Sequence, residues 1–342
     1  MKIETDFTRH AGIDIPIICG AMYPCSNPEL IAAVSDAGGI GIIQPLSMVY
    51  VHKHEFGEGI RLIKSLTNKP FGMNATIEKA SKAYENRMRE WVEIAIDEGV
   101  RFFVTALGNP KWVADMVHSV NGFVYHKVTE RKWALKALEG GVDGLIAINN
   151  KAGGHAGTIE SLELLLSLDD LNVPVVAGGG IGSEDEFSEA LKLGYQGILM
   201  GTRFIATEEC TVHVDYKNAI VKAHASDIVL TERVTGVPLS VIRTEYVDQV
   251  GTKAGPVARW MLQQRKLKKY IRLMYAVRSV RQLKKSALAG PSSKDYFQAG
   301  HSVNGISGIG KAGEIVQSFA RHAIDDPEII KRFKIKPELA DR

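Results

Sequence analysis

The sequence predicts an α/β protein built as a (β/α)8 barrel followed by a helical lobe, and three observations carry this prediction. Short apolar runs alternate with longer helical patterns, most runs are apolar throughout, and eight such units fit into about 200 residues, the size of such a barrel. Continuously apolar runs are typical of parallel strands that are covered on both faces. A doubly wound parallel sheet shares this alternation, and the number of strands alone does not exclude it.

Eight candidate strands precede residue 203. They are the runs at 15–22, 39–44, 70–76, 101–108, 122–128, 143–150, 173–180 and 196–202. Helical patterns between them include those at 28–38, 85–99 and 183–194. The last of these begins with a Ser-x-x-Glu capping box, Ser183 to Glu186, and ends at Gly194, a residue suited to a left-handed helix cap.

The pattern changes after the eighth strand, so residues 1–204 form the predicted barrel and residues 205–342 a predicted lobe packed on it. Residues from 205 to 290 read as mostly helical and contain a basic stretch at 263–285. A Gly/Ser-rich segment at 298–314 leads into a final helix, and we expect this segment to act as a lid. The basic stretch is either a solvated helix face or a site for an anionic partner, such as a phosphorylated cofactor or an acyl carrier protein.

Composition and charge indicate an ordinary globular protein. Of the 342 residues, 45% are hydrophobic and 24% charged, and the net charge of +3 is too small to indicate nucleic acid by itself. No apolar run has the roughly 18 residues of a membrane helix, and the N-terminus has no signal segment. Cys19, Cys25 and Cys210 form neither a CxxC pair nor a metal-ligand spacing, and no neighbouring cysteine supports a redox role for Cys25. We therefore expect a cytoplasmic protein without a metal site, whose oligomeric state stays open.

Glycines cluster where the seventh and eighth predicted strands end. They are Gly178, Gly179, Gly180 and Gly182 after the seventh strand, and Gly201, followed by Thr202, after the eighth. Glycines before a helix expose backbone N–H groups that suit a phosphate, and the loops after these two strands commonly bind phosphate in (β/α)8 barrels. Tight turns are the alternative explanation, but two such loops on successive strands favour a phosphate site. No GxGxxG motif opens a βαβ unit, and no GxxxxGK[ST] motif is present.

Several short motifs occur in an order that resembles the nitronate monooxygenase family, also called 2-nitropropane dioxygenases. They are GAM (20–22), AGGIG (37–41), PFGMN (70–74), HK (126–127), AGGHAG (152–157), AGGGIG (177–182) and MGTRFIATEE (200–209). The resemblance spans about residues 5–225 and implies an FMN-dependent (β/α)8 barrel. The same superfamily contains NAD(P)H:quinone reductases and flavin-dependent enoyl-acyl carrier protein reductases. AGGHAG and MGTRF are therefore specific for the superfamily more than for one reaction.

The resemblance implies non-covalent FMN and places it residue by residue. The implied contacts are Gly178, Gly179, Gly180, Gly201 and Thr202 with the phosphate, Ala21, Met22 and Tyr23 along the ring system, Asn74 and Thr76 at its polar edges, and Gly153 where the flavin approaches the backbone. Lys127 matches the lysine near the pyrimidine end, where a fixed cation would stabilise the negative charge of reduced flavin. The segment Tyr23-Pro24-Cys25 follows the first strand, where members of the family carry varied residues, which leaves the pocket wall and the substrate open.

The resemblance also implies that His155 is the catalytic histidine. It lies among glycines directly after an apolar run, and a histidine with a pKa near ~6.5 can remove the acidic α-proton of a nitroalkane or donate a hydrogen bond to an anionic substrate. A structural histidine held by loop carbonyls is the alternative. His126 is a weaker candidate because strand alternation points it away from Lys127. His301 and Ser302 are expected to contribute to the lid.

Three functions are compatible with these residues. The first is a nitronate monooxygenase, which oxidises alkyl nitronates with O2 to carbonyl compounds and nitrite. The second is an NAD(P)H-dependent reductase of quinones or enoyl thioesters, and the basic stretch slightly favours such an anionic nucleotide or carrier partner. The third, a flavin-binding protein without turnover, is disfavoured because His155 and Lys127 accompany a complete phosphate site. In each case a small molecule, and no nucleic acid or membrane, is the expected partner.

Overall fold

A closed barrel of eight parallel strands is the centre of the computed structural model, which describes residues 2–78, 81–253, 255, 264, 268–289 and 296–336. The strands of the protein are β1 (Lys2–Glu4), β2 (Ile17–Cys19), β3 (Ile40–Ile43), β4 (Gly72–Thr76), β5 (Phe102–Ala106), β6 (Phe123–Val128), β7 (Gly144–Ile148), β8 (Val175–Gly178), β9 (Gly197–Met200), β10 (Ile228–Thr231), β11 (Leu239–Ile242) and β12 (Lys334–Lys336). Strands β2 to β9 follow one another around the barrel, and β9 pairs with β2. Closure confirms the predicted (β/α)8 barrel and excludes the doubly wound sheet, which has two free edges.

Each of the eight predicted strand segments contains one barrel strand. Alternate residues point into the barrel, where Ile18, Ile42, Val104, Tyr125, Ile146 and Val176 form one buried cluster. The residues between them face the outer helices and form a second, larger buried cluster. Because both faces of each strand are buried, most of the runs are apolar throughout, as the sequence pattern indicated.

Helices surround the barrel and fill the region after it. They are α1 (Asp6–Ala11), α2 (Pro28–Asp36), α3 (Phe56–Leu66), α4 (Lys82–Asp97), α5 (Lys111–His118), α6 (Arg131–Glu139), α7 (Ser161–Leu166), α8 (Glu184–Leu193), α9 (Thr202–Ile205), α10 (Val214–Lys222), α11 (Glu245–Val250), α12 (Lys268–Leu288), α13 (Ala312–Ile324) and α14 (Pro327–Arg332). The predicted capping box of α8 is confirmed, since Ser183 Oγ accepts a hydrogen bond from the Glu186 backbone. Gly194 ends that helix at φ 117°. Within the described ranges, no helix is long and apolar enough to cross a membrane.

The helix α13 belongs to the outer ring of the barrel although it lies near the end of the chain. It packs between α8 and α2, where Gln317 Nε2 donates to the Ala37 carbonyl at 2.7 Å and Ser318 Oγ donates to a Glu184 carboxylate oxygen at 2.5 Å. The chain between β9 and α13 is therefore an insertion before the last outer helix. The division of the chain at residue 204 stays a proposal.

The expectation of a mostly helical stretch from 205 to 290 is wrong for β10 and β11, which form an antiparallel pair. Four-residue strands are too short to show a clear period in the sequence, and their stability comes from a cluster in which β11 packs with Val234, Val247 and Leu283. The basic stretch coincides with α12 from Lys268 onward. Its positions 263 and 265–267 lie outside the described residues.

Candidate active site

The loops at the carboxyl ends of β7, β8 and β9 all contact the glycine-rich segment that follows α12. Thr202 Oγ1 accepts a hydrogen bond from the Gly300 backbone N at 3.0 Å. A Cβ on Gly300 would lie only 2.4 Å from the backbone N of Gly153, and a Cβ on Gly182 only 2.1 Å from the Ser302 carbonyl oxygen. Glycine is required at these positions because backbone meets backbone. The structure thus brings together four segments that are far apart in the sequence.

The segment 298–314 forms part of the wall of this site rather than a lid over it. Ser302 is 6% exposed and Val303 1% exposed. The backbone N of His301 donates to the Lys151 carbonyl at 3.0 Å. A lid must be able to leave the site, whereas the backbone of residues 300–302 packs directly against the loops after β7 and β8. The expectation that His301 and Ser302 contribute to a lid is therefore not what the structure shows.

Four backbone N–H groups at the ends of β8 and β9 have no hydrogen-bond acceptor in the part of the chain that the structure describes. They belong to Gly179, Gly180, Gly201 and Thr202. Gly179 and Gly180 adopt φ of 115° and 81°, which other residues rarely tolerate. Gly178, by contrast, lies within β8. Thr202 is buried and the three glycines are half-buried, and N–H groups shielded from water without an acceptor are costly, so this cradle suits a phosphate group.

The segment after β2 borders this cradle. A Cβ on Gly201 would contact Met22 Sδ at 3.4 Å, an ordinary van der Waals distance. Ala21 and Met22 are half-buried, and the Met22 backbone N donates to Ser26 Oγ at 2.9 Å. Met22 therefore lies beside the proposed phosphate site, and the contact of Ala21 and Met22 with the ring system stays a prediction.

Tyr23 contributes its backbone to the site and its side chain to the inserted region. Its carbonyl oxygen accepts from Gln298 Nε2 at 3.3 Å. Its hydroxyl donates to the Val280 carbonyl of α12 at 3.0 Å, and burial raises the pKa of Tyr23 to about 12. The hydroxyl and the carbonyl oxygen of Tyr23 are therefore both engaged within the protein.

Lys127, at the end of β6, is an ammonium without a partner among the described residues. Burial lowers the pKa of Lys127 to about 8, because the charged form is poorly solvated there. Asn74 and Thr76, at the end of β4, occupy the same inward face, and Asn74 Nδ2 donates to Thr76 Oγ1 at 3.0 Å. A desolvated cation of this kind suits an anionic ligand group, such as the pyrimidine end of a reduced flavin.

His126 faces away from Lys127, as strand alternation predicted. One ring nitrogen, Nδ1, lies 2.8 Å from Thr105 Oγ1, and the side chain is buried against the outer helices. Burial, reinforced by the charge of Lys127, lowers the pKa of His126 to about 4. His126 is therefore a neutral packing residue.

His155 combines an accessible imidazole with a desolvating environment. Its Nε2 lies 3.2 Å from Thr235 Oγ1, and Nδ1 has no hydrogen-bond partner in the described part of the chain. The side chain is exposed, yet the surrounding protein lowers the pKa of His155 below its usual value. These two observations describe an imidazole that solvent reaches but solvates poorly. At neutral pH it is uncharged and can accept a proton.

The glycines around His155 are needed for a different reason than the one predicted. A Cβ on Gly157 would lie 2.4 Å from the Ile148 carbonyl oxygen, and the space beside Gly153 is filled by Gly300. Gly154 adopts φ 70° and pairs with Ser240 of β11, whose backbone N donates to the Gly154 carbonyl at 2.7 Å. The protein's own backbone occupies the space that Gly153 and Gly157 leave, whereas Gly154 is required by its left-handed φ.

Three further residues shape the site and were not predicted. Asn149 donates from Nδ2 to the Gly179 carbonyl at 3.0 Å and thereby joins the loops after β7 and β8. Gln298 and Thr235 contact Tyr23 and His155 from the insertion. Asn149 could have been identified from the sequence, because it is a polar residue directly after an apolar strand. Gln298 and Thr235 carried no signal, because their contacts depend on how the insertion folds.

Cys25 follows the β2 segment and meets a second thiol in space. Cys210 Sγ donates to the Cys25 carbonyl at 3.4 Å, and both residues are buried. The neighbouring Cys210 thiol and burial raise the pKa of Cys25, so this thiol stays protonated and unreactive. No group of three or more His, Cys, Asp and Glu side chains within the described ranges could hold a metal ion.

Free strand-end N–H groups, an unpaired lysine and an accessible histidine lie at the carboxyl face of a (β/α)8 barrel, and these groups fit a flavin-dependent oxidoreductase. The chain belongs to the nitronate monooxygenase family, whose model matches residues 4–321.

Relatives in this family carry different names. A (3aS,4S,5R,7aS)-5-hydroxy-7a-methyl-1-oxo-octahydro-1H-indene-4-carboxyl-CoA dehydrogenase of Mycobacterium tuberculosis is 31% identical over 73% of this chain and 69% of its own length. A probable nitronate monooxygenase of Staphylococcus saprophyticus is 26% identical over 73% of this chain and 81% of its own length. Among solved structures, FabK from Thermotoga maritima has a TM-score of 0.78 and 27% identity, with 96% of this chain and 99% of FabK covered. The family is therefore shown, whereas its members differ in their named reactions.

Proposed function

We propose that this protein is an FMN-dependent nitronate monooxygenase that converts alkyl nitronates and O2 to carbonyl compounds and nitrite. The observation that carries the proposal is His155, an accessible imidazole that is neutral at pH 7 and has one ring nitrogen without a partner among the described residues. Such a group can remove the α-proton of a nitroalkane and then hydrogen-bond to the nitronate anion that results.

The residues of the site divide into binding and proton-transfer roles. FMN, when bound, supplies the one- or two-electron chemistry that amino-acid side chains lack. The N–H groups of Gly179, Gly180, Gly201 and Thr202 would hold its phosphate. Lys127 would hold the negative charge of its pyrimidine end, with Asn74 and Thr76 at other polar edges and Ala21 to Tyr23 along the ring. Gly153 would support the site through its contact with Gly300.

Non-covalent FMN, rather than FAD, accounts best for the binding groups. The strand-end loops supply one phosphate cradle, and the sequence has no dinucleotide fingerprint for a second phosphate. Heat release followed by chromatography of the flavin tests this directly. We expect stoichiometric FMN, and recovery of stoichiometric FAD would contradict the assignment.

A second candidate is an NAD(P)H-dependent or thioester-directed oxidoreductase, and α12 favours it. This helix has seven basic and no acidic residues in its sequence, and the side chains of Arg278 and Arg281 are exposed. Because Tyr23 donates to the Val280 carbonyl, these charges lie close to the segment after β2. The relative named as a CoA-thioester dehydrogenase acts on a substrate with an anionic carrier of the kind that such a helix could attract.

An anaerobic mixing experiment separates the two candidates. Flavin-loaded protein is mixed with ethyl nitronate, NADH or NADPH, and the flavin absorbance is followed. The nitronate monooxygenase predicts a fast spectral change with ethyl nitronate alone. Fast bleaching by NADH or NADPH, with no response to the nitronate, would contradict it and support the reductase.

Charge reversal on α12 tests the second candidate separately. If α12 binds an anionic carrier, Arg281→Glu should raise the KM for a CoA thioester, whereas Lys331→Glu on α14 should not.

The partners proposed for the first candidate are a small molecule and O2. Free Cys19, Cys25 and Cys210 are compatible with a reducing, cytoplasmic location.

A further inference from the structure

The hydroxyl of Thr235 lies between the His155 ring and a backbone carbonyl. Thr235 Oγ1 is 3.2 Å from His155 Nε2 and 2.9 Å from the Val237 carbonyl oxygen. A threonine hydroxyl has a single proton to donate but can accept as well. It can therefore donate to the carbonyl or to the imidazole, but not to both at once.

Only one of these two arrangements satisfies all three groups. If Thr235 donates to the imidazole, the Val237 carbonyl loses its sole donor among the described residues. If Thr235 donates to Val237 instead, its oxygen accepts the proton of His155 Nε2–H, and every polar group is paired. Unpaired carbonyls are disfavoured in partly buried surroundings, which selects the second arrangement.

The position of Thr235 is fixed from both sides. Val234 is fully buried in the cluster of the inserted region. The Gly236 backbone N donates to the Glu232 carbonyl at 2.9 Å, and a Cβ on Gly236 would lie 2.9 Å from the ring of Tyr275 on α12. Since β11 also pairs with the loop of His155 through Gly154, the donor and the acceptor are held on one framework.

We propose that Thr235 is a positioning residue that holds His155 as the Nε2–H tautomer and so makes Nδ1 the base. The proposal rests on the proposed function, in which a nitroalkane loses its α-proton to His155. In that step the C–H bond breaks, Nδ1 takes the proton, and the electron pair remains on the nitronate. Nδ1 has no hydrogen-bond partner in the described part of the chain, so its lone pair is available.

The tautomer itself can be measured without any substrate. Protein labelled with 15N-histidine is examined by NMR, and His155→Asn assigns the ring signals of His155. We expect a protonated Nε2 and a non-protonated Nδ1 at pH values above the His155 pKa. A protonated Nδ1 in the native protein would overturn the proposal, and it would do so whether or not nitroalkanes are substrates.

Two variants of Thr235 test its effect on turnover. Thr235→Val keeps the shape but removes the hydroxyl, and it should lower turnover of nitroethane by roughly 10–100-fold, by analogy with partners that orient metal-bound histidines. Turnover of pre-formed ethyl nitronate, which needs no base, should fall much less. Thr235→Ser restores the hydroxyl and should restore both the tautomer and most of the activity with nitroethane.

The outcomes separate this proposal from the proposed function. Unchanged nitroethane turnover and an unchanged tautomer in Thr235→Val would overturn the positioning role. Equal losses on both substrates, without rescue by Thr235→Ser, would show that Thr235 only supports the fold. If native protein has the Nε2–H tautomer but turns over no nitro compound, the proposed reaction fails while the tautomer assignment stands.

Discussion

The backbones of Gly153 and Gly300 are in direct contact, so that a Cβ on Gly300 would lie 2.4 Å from Gly153 N. This contact joins the loop of His155, after β7, to a segment about 150 residues further along the chain. Thr202 Oγ1 accepts from the same Gly300 N–H, so the contact also reaches the loop after β9. The shape of the site therefore depends on chain that lies outside the eight barrel strands.

Adding one methyl group at Gly300 should disrupt this contact. Gly300 has φ −107°, which alanine adopts without strain, so Gly300→Ala tests the steric contact alone. We expect a loss of about 1–3 kcal/mol in the free energy of unfolding, together with weaker flavin retention. Urea denaturation measures the first effect. Gly308→Ala is the matched control, since nothing lies within 4 Å of its Cβ.

Gly201 offers a test of the phosphate cradle that spares the fold. A Cβ there would make only van der Waals contact with Met22, whereas one on Gly179 would lie 2.4 Å from Asn149 Oδ1. We expect Gly201→Val to fold with native-like stability but to be purified with much less flavin, because the larger side chain crowds the free N–H groups. Full flavin content in this variant would place the phosphate elsewhere.

Lys127 should make the stability of flavin-free protein rise with pH. The pKa of Lys127 is lowered to about 8 in the folded state, against an ordinary lysine value of 10.5 in the unfolded chain. Between these two pH values the unfolded chain binds more protons than the folded chain, so the free energy of unfolding increases with pH. Below pH 8 the folded chain carries the buried charge, so the increase in the free energy of unfolding that deprotonation brings is absent. The difference between the native protein and Lys127→Met, measured by denaturation from pH 7 to 10.5, should show this rise, and a flat difference would contradict it.

The same lysine should set the reduction potential of the bound flavin. Removing a fixed cation beside developing negative charge in Lys127→Met should lower the two-electron potential, with about 30 mV for every 1.4 kcal/mol of lost stabilisation. Lys331→Met, at an exposed position on α14, is the control and should leave the potential unchanged. An unchanged potential in Lys127→Met with flavin still bound would show that Lys127 points away from it.

The barrel could be predicted from the sequence because its signals are local. Continuously apolar runs, such as the four buried residues of β3, indicate burial on two faces, and the capping box of α8 fixes a helix start. The glycine loops after β8 and β9 could be predicted for the same reason, because a left-handed φ or an exposed N–H is a property of a few residues.

The insertion could not be predicted, because its structure depends on contacts between distant residues. Strands β10 and β11 have four residues each and no clear alternation. Gly153 and Gly157 belong to the AGGHAG motif and Gly300 to the segment 298–314, but the sequence does not show that each makes room for another part of the backbone. Thr235 and Gln298 reach the site only through this folding, so no local pattern indicated them.

The central claim is that His155 acts as a base, and its most direct test compares two substrates of His155→Asn. Neutral nitroethane must lose a proton, whereas ethyl nitronate has already lost it. We predict that turnover of nitroethane falls by roughly 10²–10⁴-fold, the usual worth of a positioned base, while turnover of ethyl nitronate falls much less and flavin content stays normal. Equal losses on the two substrates would contradict the claim and leave His155 as an anchor for the anion.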